Sequence, residues 1–132
     1  MIGETKDAGY QIGVSKTLPF PIERVWGFLT SPEGVELWLG KGVELGREKG
    51  ERYETGDGTT GEIRSFHDHD RVRLTWQPAD WDHSTTVQVA VTSQGDKTTL
   101  YFHQEWLSGP KERERQRDHW RAVMTKVTDA LD

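Results

Sequence analysis

Polar and hydrophobic residues alternate along several short stretches of the chain, which is the pattern of strands that bury one face. In the stretch RVRLTW, for example, Val72, Leu74 and Trp76 share one parity. The same pattern predicts further strands at residues 10–20, 42–46, 52–55, 60–67, 85–92 and 98–107. Because turn-forming segments separate these strands about every ten residues, we expect an antiparallel meander.

Two short helices are predicted between the first strand and the meander. Pro21 begins the first, over residues 21–30, because proline suits the first turn of a helix. Ser31 followed by Pro32 is the start signal of the second, over residues 31–39. Both stretches carry hydrophobic residues at helical spacing, so each helix is expected to bury one face.

A long amphipathic helix is predicted at the C-terminal end, from about Pro110 to Leu131. Its hydrophobic stripe begins at Trp120 and continues at spacings of three and four residues. On the N-terminal side the same stripe becomes polar, at Gln116 and Arg113. We therefore expect the second half of the helix to cover the apolar face of the sheet, while the first half faces a more polar environment.

Composition narrows the class of protein and its chemistry. The chain has 132 residues and no cysteine, so disulfides, thiolate nucleophiles and cysteine-ligated zinc sites are excluded. This length predicts a single domain over residues 1–132. No apolar run approaches the roughly 20 residues of a membrane-spanning helix, and residues 1–13 lack the features of a signal peptide. A cytoplasmic location without membrane insertion is expected.

The net charge of −5 argues against nucleic acid as a partner. One basic cluster stands out in the long helix, and it consists of Lys111, Arg113, Arg115, Arg117 and Arg121. Acidic residues are interleaved with it three and four positions away. This mixture favours a solvated helix face, and phosphate binding is the alternative.

The order of these elements resembles the helix-grip fold of the SRPBCC/START-like superfamily, which includes polyketide cyclases and birch-pollen-allergen-like proteins. The closest resemblance is to the branch named after the C-terminal domain of the activator of the heat-shock-protein ATPase. The residues that carry it are Pro21, Val25, Trp26, Pro32, Trp38, Gly61, Ile63, Val72, Trp76 and Trp120. The resemblance implies an α+β fold in which a curved antiparallel sheet of six to seven strands wraps around the long C-terminal helix. Two short helices follow the first strand in this fold.

The resemblance also implies a cavity between the sheet and the long helix, which would bind a small hydrophobic or aromatic molecule. Gln104 is of special interest, because it interrupts an apolar strand face and needs a hydrogen-bond partner if it is buried. The alternative is that the aromatic rings fill a solid core. From strand parity and the helix stripe, the expected lining residues are Trp38, Leu74, Trp76, Val89, Phe102, Gln104, Trp106, Gln116, Trp120 and Met124.

Three tryptophans receive specific predictions. Trp76 and Trp120 are expected near one another, at the junction of the packed core and the cavity. Trp81 lies in a turn-rich stretch, so we expect it outside the main core, where it caps the mouth of the cavity or contacts a second subunit. A homodimer is therefore a possible assembly. His119 occupies a place where relatives often carry glycine.

The tetrad His67-Asp68-His69-Asp70 has the composition of a metal site, but it falls where the fold places a hairpin turn, and a turn is the interpretation we adopt. Glu62 and Glu105 are expected to point outward by parity. No nucleophile elbow, phosphate loop or zinc-protease motif is present in the sequence. No catalytic residue, metal or cofactor is therefore predicted.

Three classes of function follow from these observations. The first, which we favour, is a module that binds a small hydrophobic molecule. The second is an enzyme of the polyketide-cyclase kind that uses the same cavity. The third is a protein-interaction domain of the co-chaperone kind that acts on a chaperone ATPase through its outer surface.

Overall fold

The computed structural model describes residues 4–5 and 9–132, with side chains from residue 9 onward. A long strand is followed by two short helices, a meander of five strands and one long helix, in the predicted order. The elements are β1 (Glu4–Thr5), β2 (Gly9–Leu18), α1 (Ile22–Leu29), α2 (Pro32–Trp38), β3 (Arg52–Glu54), β4 (Thr60–His67), β5 (Arg71–Trp76), β6 (Thr85–Gln94), β7 (Lys97–Leu107) and α3 (Pro110–Leu131).

The strands form one antiparallel sheet in the order β1-β2-β7-β6-β5-β4-β3. The alternation that predicted the meander is visible in the burial of β5, where Val72, Leu74 and Trp76 are buried and the residues between them are not. The paired strands β5, β6 and β7 thus present one apolar face. The two-residue strand β1 was not predicted, because it is too short to show a period.

One predicted strand is wrong. Residues 42–46 form no strand, although Val43 and Leu45 still pack against the core. The positive φ angles of Gly40 (148°) and Gly42 (79°) place the chain in conformations that a strand does not use. The apolar residues of this segment therefore reached the core from a loop.

Helix α3 lies over the apolar face of the sheet, as predicted. The buried positions of its second half are those of the stripe, namely Trp120, Val123, Met124, Val127 and Leu131. The rings of Trp120 and Phe102 stack with centroids 5.0 Å apart. The arrangement is an α+β helix-grip fold. No helix in the described part of the chain is long and apolar enough to span a membrane.

The two short helices close one end of the sheet. Ser31 caps α2 by accepting a hydrogen bond from the Gly34 N–H at 3.1 Å, as its position before Pro32 predicted. The Trp38 indole is buried and donates to the Leu29 carbonyl oxygen at 2.8 Å. Trp38 therefore holds the corner between α1 and α2 together.

A β-bulge in β7 corrects the prediction for Trp106. The register passes from Tyr10 opposite Leu107 to Ile12 opposite Gln104, so one residue of β2 faces two residues of β7. Trp106 adopts a φ of 68°, and its side chain is 48 % exposed instead of lining the interior. Leu107 takes the buried position. Strand parity alone could not predict this, because a bulge inverts the parity beyond it.

Candidate functional site

Nine of the ten residues expected to line a cavity are buried, and Trp106 is the exception. Strands β5, β6 and β7 supply the sheet side, α3 supplies the helix side, and Trp38 comes from α2. The nine buried residues are Trp38, Leu74, Trp76, Val89, Phe102, Gln104, Gln116, Trp120 and Met124. Helix packing on the apolar sheet face is what brings most of them into one interface.

A hydrogen-bonded amide network lies at the centre of this interface. The Gln104 carbonyl oxygen accepts from the Gln116 amide and from the Trp120 indole N–H, both at 2.9 Å. The Gln104 amide nitrogen donates to the Thr85 hydroxyl at 2.9 Å, and that hydroxyl donates to the Trp76 carbonyl oxygen at 2.6 Å. Gln104 is 0 % exposed, and these hydrogen bonds supply the partners that a buried amide requires.

Aromatic rings continue from this network to the surface. The His119 ring lies between the two predicted tryptophans, with centroids 4.8 Å from Trp120 and 6.1 Å from Trp76. Trp76 then meets Trp81 edge to face at 5.4 Å, and Trp81 stacks on His83 at 5.0 Å. Trp76 and Trp120 are thus neighbours through His119, in agreement with their predicted proximity. That they border a cavity stays a prediction. The only signal for His119 in the sequence was that it occupies a place where relatives often carry glycine, and its contacts with the two tryptophans were not predicted.

Trp81 is half-buried and packs over the edge of Trp76. It therefore lies at one end of the interface and outside the fully buried core, as expected. Whether it caps an opening or contacts a second subunit stays a prediction.

The interior between the sheet and α3 is filled by these side chains. Phe102 and Trp120 are at most 1 % exposed, and Trp76 is 9 % exposed. Open depressions lie at the β3–β5 region, between β2 and α3, and beside α2, and none of these is lined by the nine residues. A ligand in the predicted place would therefore have to displace part of the aromatic packing.

A histidine–carboxylate contact ties the loop before β6 to the start of α3. His83 Nε2 lies 2.7 Å from Glu112 Oε1, and His83 Nδ1 lies 3.0 Å from Asp82 Oδ1. Glu112 also accepts from the N–H and the hydroxyl of Ser108 at 3.0 and 2.8 Å. The hydrogen bonds to Asp82 and Glu112 raise the pKa of His83 above its usual value. The sequence contained no pattern that linked His83 to Glu112.

This contact predicts a pH-dependent contribution to stability. Because the pKa of His83 is raised in the folded protein, its contribution is complete below the usual histidine pKa of about 6.5 and is lost as the pH rises through the raised value. The free energy of unfolding of wild type should exceed that of His83→Gln by more at about pH 5.5 than at about pH 9. Urea titrations of both proteins across this range measure the difference. Equal pH profiles would show that the contact carries no proton-linked stability.

The tetrad at residues 67–70 is a turn, as interpreted. Asp68 accepts a hydrogen bond from the Trp26 indole at 2.7 Å, and this bond lowers the pKa of its carboxyl group. His69 adopts a φ of 58°, a conformation that histidine tolerates in turns. The tetrad thus docks the β4–β5 turn onto α1.

The two glutamates expected to point outward do so. Glu105 pairs with Arg73 at 3.2 Å on the face of the sheet opposite the buried one, and Glu62 pairs with Arg64 at 3.1 Å. Both are partly exposed ion pairs on strands.

Comparison with known proteins places the chain in a family. The model of the family described as "Activator of Hsp90 ATPase homolog 1-like protein" matches residues 19–132. The chain belongs to this family. The match includes both short helices, the meander and the whole of α3, so it covers every element that forms the interface. No curated protein matches the sequence.

Solved structures with the same fold accompany the family assignment. A protein of the dynemicin biosynthetic locus has a TM-score of 0.77 at 21 % identity; the match covers 92 % of this chain and 46 % of that one. An HSP90 activator from Plasmodium falciparum has a TM-score of 0.74 at 18 % identity, covering 92 % and 95 %. The Aha1 dimer from Colwellia psychrerythraea has a TM-score of 0.73 at 14 % identity, also covering 92 % and 95 %. These identities establish a shared fold.

Proposed function

We propose that the protein binds a small aromatic molecule between the sheet and the first half of α3, with its polar group on the Gln104–Gln116 amide pair. The observation that carries the proposal is this buried amide pair inside an aromatic interface. Burying two amides has a desolvation cost, which an apolar core of the same shape would avoid. Binding sites typically combine apolar walls with a few such polar groups.

The two halves of α3 make different kinds of contact, and this difference would allow the first half of the helix to move away from the sheet. The second half is held by apolar burial, from Val123 to Leu131. The first half is held by polar contacts, namely Glu112 with His83, Arg113 with the Gln11 carbonyl oxygen, and Gln116 with Gln104. Polar contacts can be exchanged for water or ligand at little net cost, whereas apolar burial cannot. Entry would therefore occur beside Trp81 and His83.

A planar probe with one hydroxyl group tests this proposal. We expect 2-naphthol to shift the indole N–H signals of Trp76 and Trp120 in ¹⁵N-edited NMR spectra, since both rings would form its walls. Trp120→Phe keeps a ring but loses the indole N–H and part of the stacking surface. It should bind the probe about 2- to 10-fold more weakly by calorimetry.

Trp106→Phe is the matched control, because this tryptophan is exposed and lies outside the interface. It should bind 2-naphthol as wild type does. Absence of binding up to the solubility limit of the probe, or equal effects of the two substitutions, would contradict the proposal and favour a solid core. A solid core would also exclude a cyclase-like enzyme that uses the same cavity. The remaining candidate would then be a co-chaperone-like interaction domain, for which the exposed Trp106 is a candidate contact.

A further inference from the structure

The groove between the outer edge of β2 and helix α3 combines strand backbone with a row of arginines. Its volume is about 470 Å³, and it is lined by residues 12–15 of β2 and by Arg113, Arg117 and Arg121 of α3. Ligand sites commonly have volumes of about 300–1,000 Å³. On a protein with a net charge of −5, three arginines on one helix face make this groove locally basic.

Among the described residues, only β1 pairs with the edge of β2 that faces this groove, and it does so at the start of the strand. On this side β1 pairs only with Gly9 and Tyr10, while β7 occupies the opposite side. Beyond Tyr10, no strand within residues 4–5 and 9–132 pairs with the outer edge. An unpaired edge is a template for another strand.

The backbone groups that this edge presents can be assigned. The Gln11 carbonyl oxygen accepts a hydrogen bond from Arg113 Nε at 2.7 Å, so it points towards the helix. Alternate residues of a strand direct their N–H and C=O groups to the same edge. Gly13 and Ser15 therefore direct theirs into the groove as well.

Arg117 is the arginine best placed to take a new partner. Its Nε atom is buried and makes no hydrogen bond within the described part of the chain. Its carboxylate neighbours on the same helix are distant and mostly exposed: Glu114 at 3.9 Å and Asp118 at 3.5 Å. Such exposed pairs contribute little, so an incoming carboxylate can replace them.

The spacing of the arginines matches that of a strand. Residues four apart on a helix lie about 6 Å apart along its axis. Residues two apart on a strand lie roughly 6.6 Å apart and point to the same face. A peptide strand paired with β2 would thus present every second side chain to the row formed by Arg113, Arg117 and Arg121.

We propose that this groove binds an acidic peptide in extended conformation, which adds a strand to the β2 edge and directs carboxylates at alternate positions towards the arginines of α3. Backbone pairing supplies affinity without regard to sequence, and the arginine row selects alternating acidic residues. A second copy of this chain fits less well, because two arginine rows would face one another.

The test uses two labelled peptides of equal composition and the full chain. The first is acetyl-Thr-Glu-Val-Glu-Val-Glu-Thr-amide, in which all three glutamates share one face of a strand. The second is acetyl-Thr-Val-Glu-Glu-Glu-Val-Thr-amide, in which the middle glutamate lies on the opposite face from the other two. By fluorescence anisotropy the alternating peptide should bind about 10-fold more tightly, which corresponds to about 1.4 kcal/mol. Its binding should weaken when NaCl is raised from about 50 to about 500 mM.

Two double variants with the same change in charge separate the groove from the rest of the helix. Arg117→Gln with Arg121→Gln should weaken binding of the alternating peptide about 5- to 10-fold. Lys111→Gln with Arg115→Gln removes exposed basic residues outside the groove and should leave it unchanged. Hydrogen exchange at the Gly13 and Ser15 amides should slow when the alternating peptide binds.

Three results would overturn the proposal. Equal binding of the two peptides would mean that the groove binds anions without pairing with a strand. Peptide binding without protection of Gly13 and Ser15 would place the peptide elsewhere. A wild-type dimer that the peptide dissociates, seen by sedimentation velocity, would assign the edge to a second copy of the chain.

Discussion

Gln104→Leu is expected to lower the free energy of unfolding by roughly 2–6 kcal/mol, because it leaves two buried donors without an acceptor. The Gln116 amide and the Trp120 indole both donate to the Gln104 carbonyl oxygen. Each unsatisfied buried group costs about 1–3 kcal/mol. Leucine fills a similar volume, so the loss reports hydrogen bonding more than a cavity. Urea titration followed by circular dichroism measures it.

Gln88→Leu is the matched control on the other face of the same sheet. The Gln88 amide oxygen accepts from Arg73 at 3.2 Å and is only partly buried, so water can replace it. The control should change stability by no more than about 0.5 kcal/mol. Similar losses in the two variants would mean that the amide network stabilises the fold no more than a surface contact does.

Gly34→Ala is expected to destabilise the protein by at least about 2 kcal/mol, since Gly34 of α2 lies directly against the backbone at the end of α1. A Cβ atom there would overlap the Phe28 carbonyl oxygen and lie 2.7 Å from its carbonyl carbon and 3.1 Å from Leu29 Cα. The Phe28 carbonyl cannot move freely, because the Ser31 N–H and hydroxyl donate to it at 3.1 and 2.6 Å. Thermal and urea unfolding measure the loss.

Gly27→Ala provides a control of opposite sign in the neighbouring helix. A Cβ atom at Gly27 has no atom within 4 Å, and the residue is exposed in α1. Alanine should stabilise this helix by about 0.5–1 kcal/mol. If Gly34→Ala is as stable as wild type, the two helices are able to separate without loss.

The periodicity of hydrophobic residues was sufficient to predict the order of strands and helices, because the buried face of each element follows directly from that periodicity. Alternation in β5 and the stripe from Trp120 to Leu131 each identify one buried face, and two such faces in one chain must cover each other. The N-cap of α2 could also be predicted from a local pattern, because Ser31 accepts a hydrogen bond from a backbone N–H only three residues away. The family assignment from residue 19 onward agrees with this order of elements.

Most of the residues that form the interface were predicted, but the contacts between them were not. The burial of Gln104 followed from its place on an apolar strand face, whereas its five-residue network joins β5, β6, β7 and α3. The contact between His83 and Glu112 spans 29 positions, and no local pattern encodes such a pair. Only the docking of α3 determines which side chains meet.

The sequence by itself determined the order of strands and helices, the apolar faces and the position of the aromatic interface, because these depend on periods of two and of 3.6 residues. Tertiary structure alone decided the exposure of Trp106 and the filling of the interior. A single extra residue in β7 inverts the parity beyond Gln104, and the stacking of Phe102 on Trp120 depends on how closely α3 approaches the sheet. Both are outcomes of packing between distant segments, which a local period does not contain.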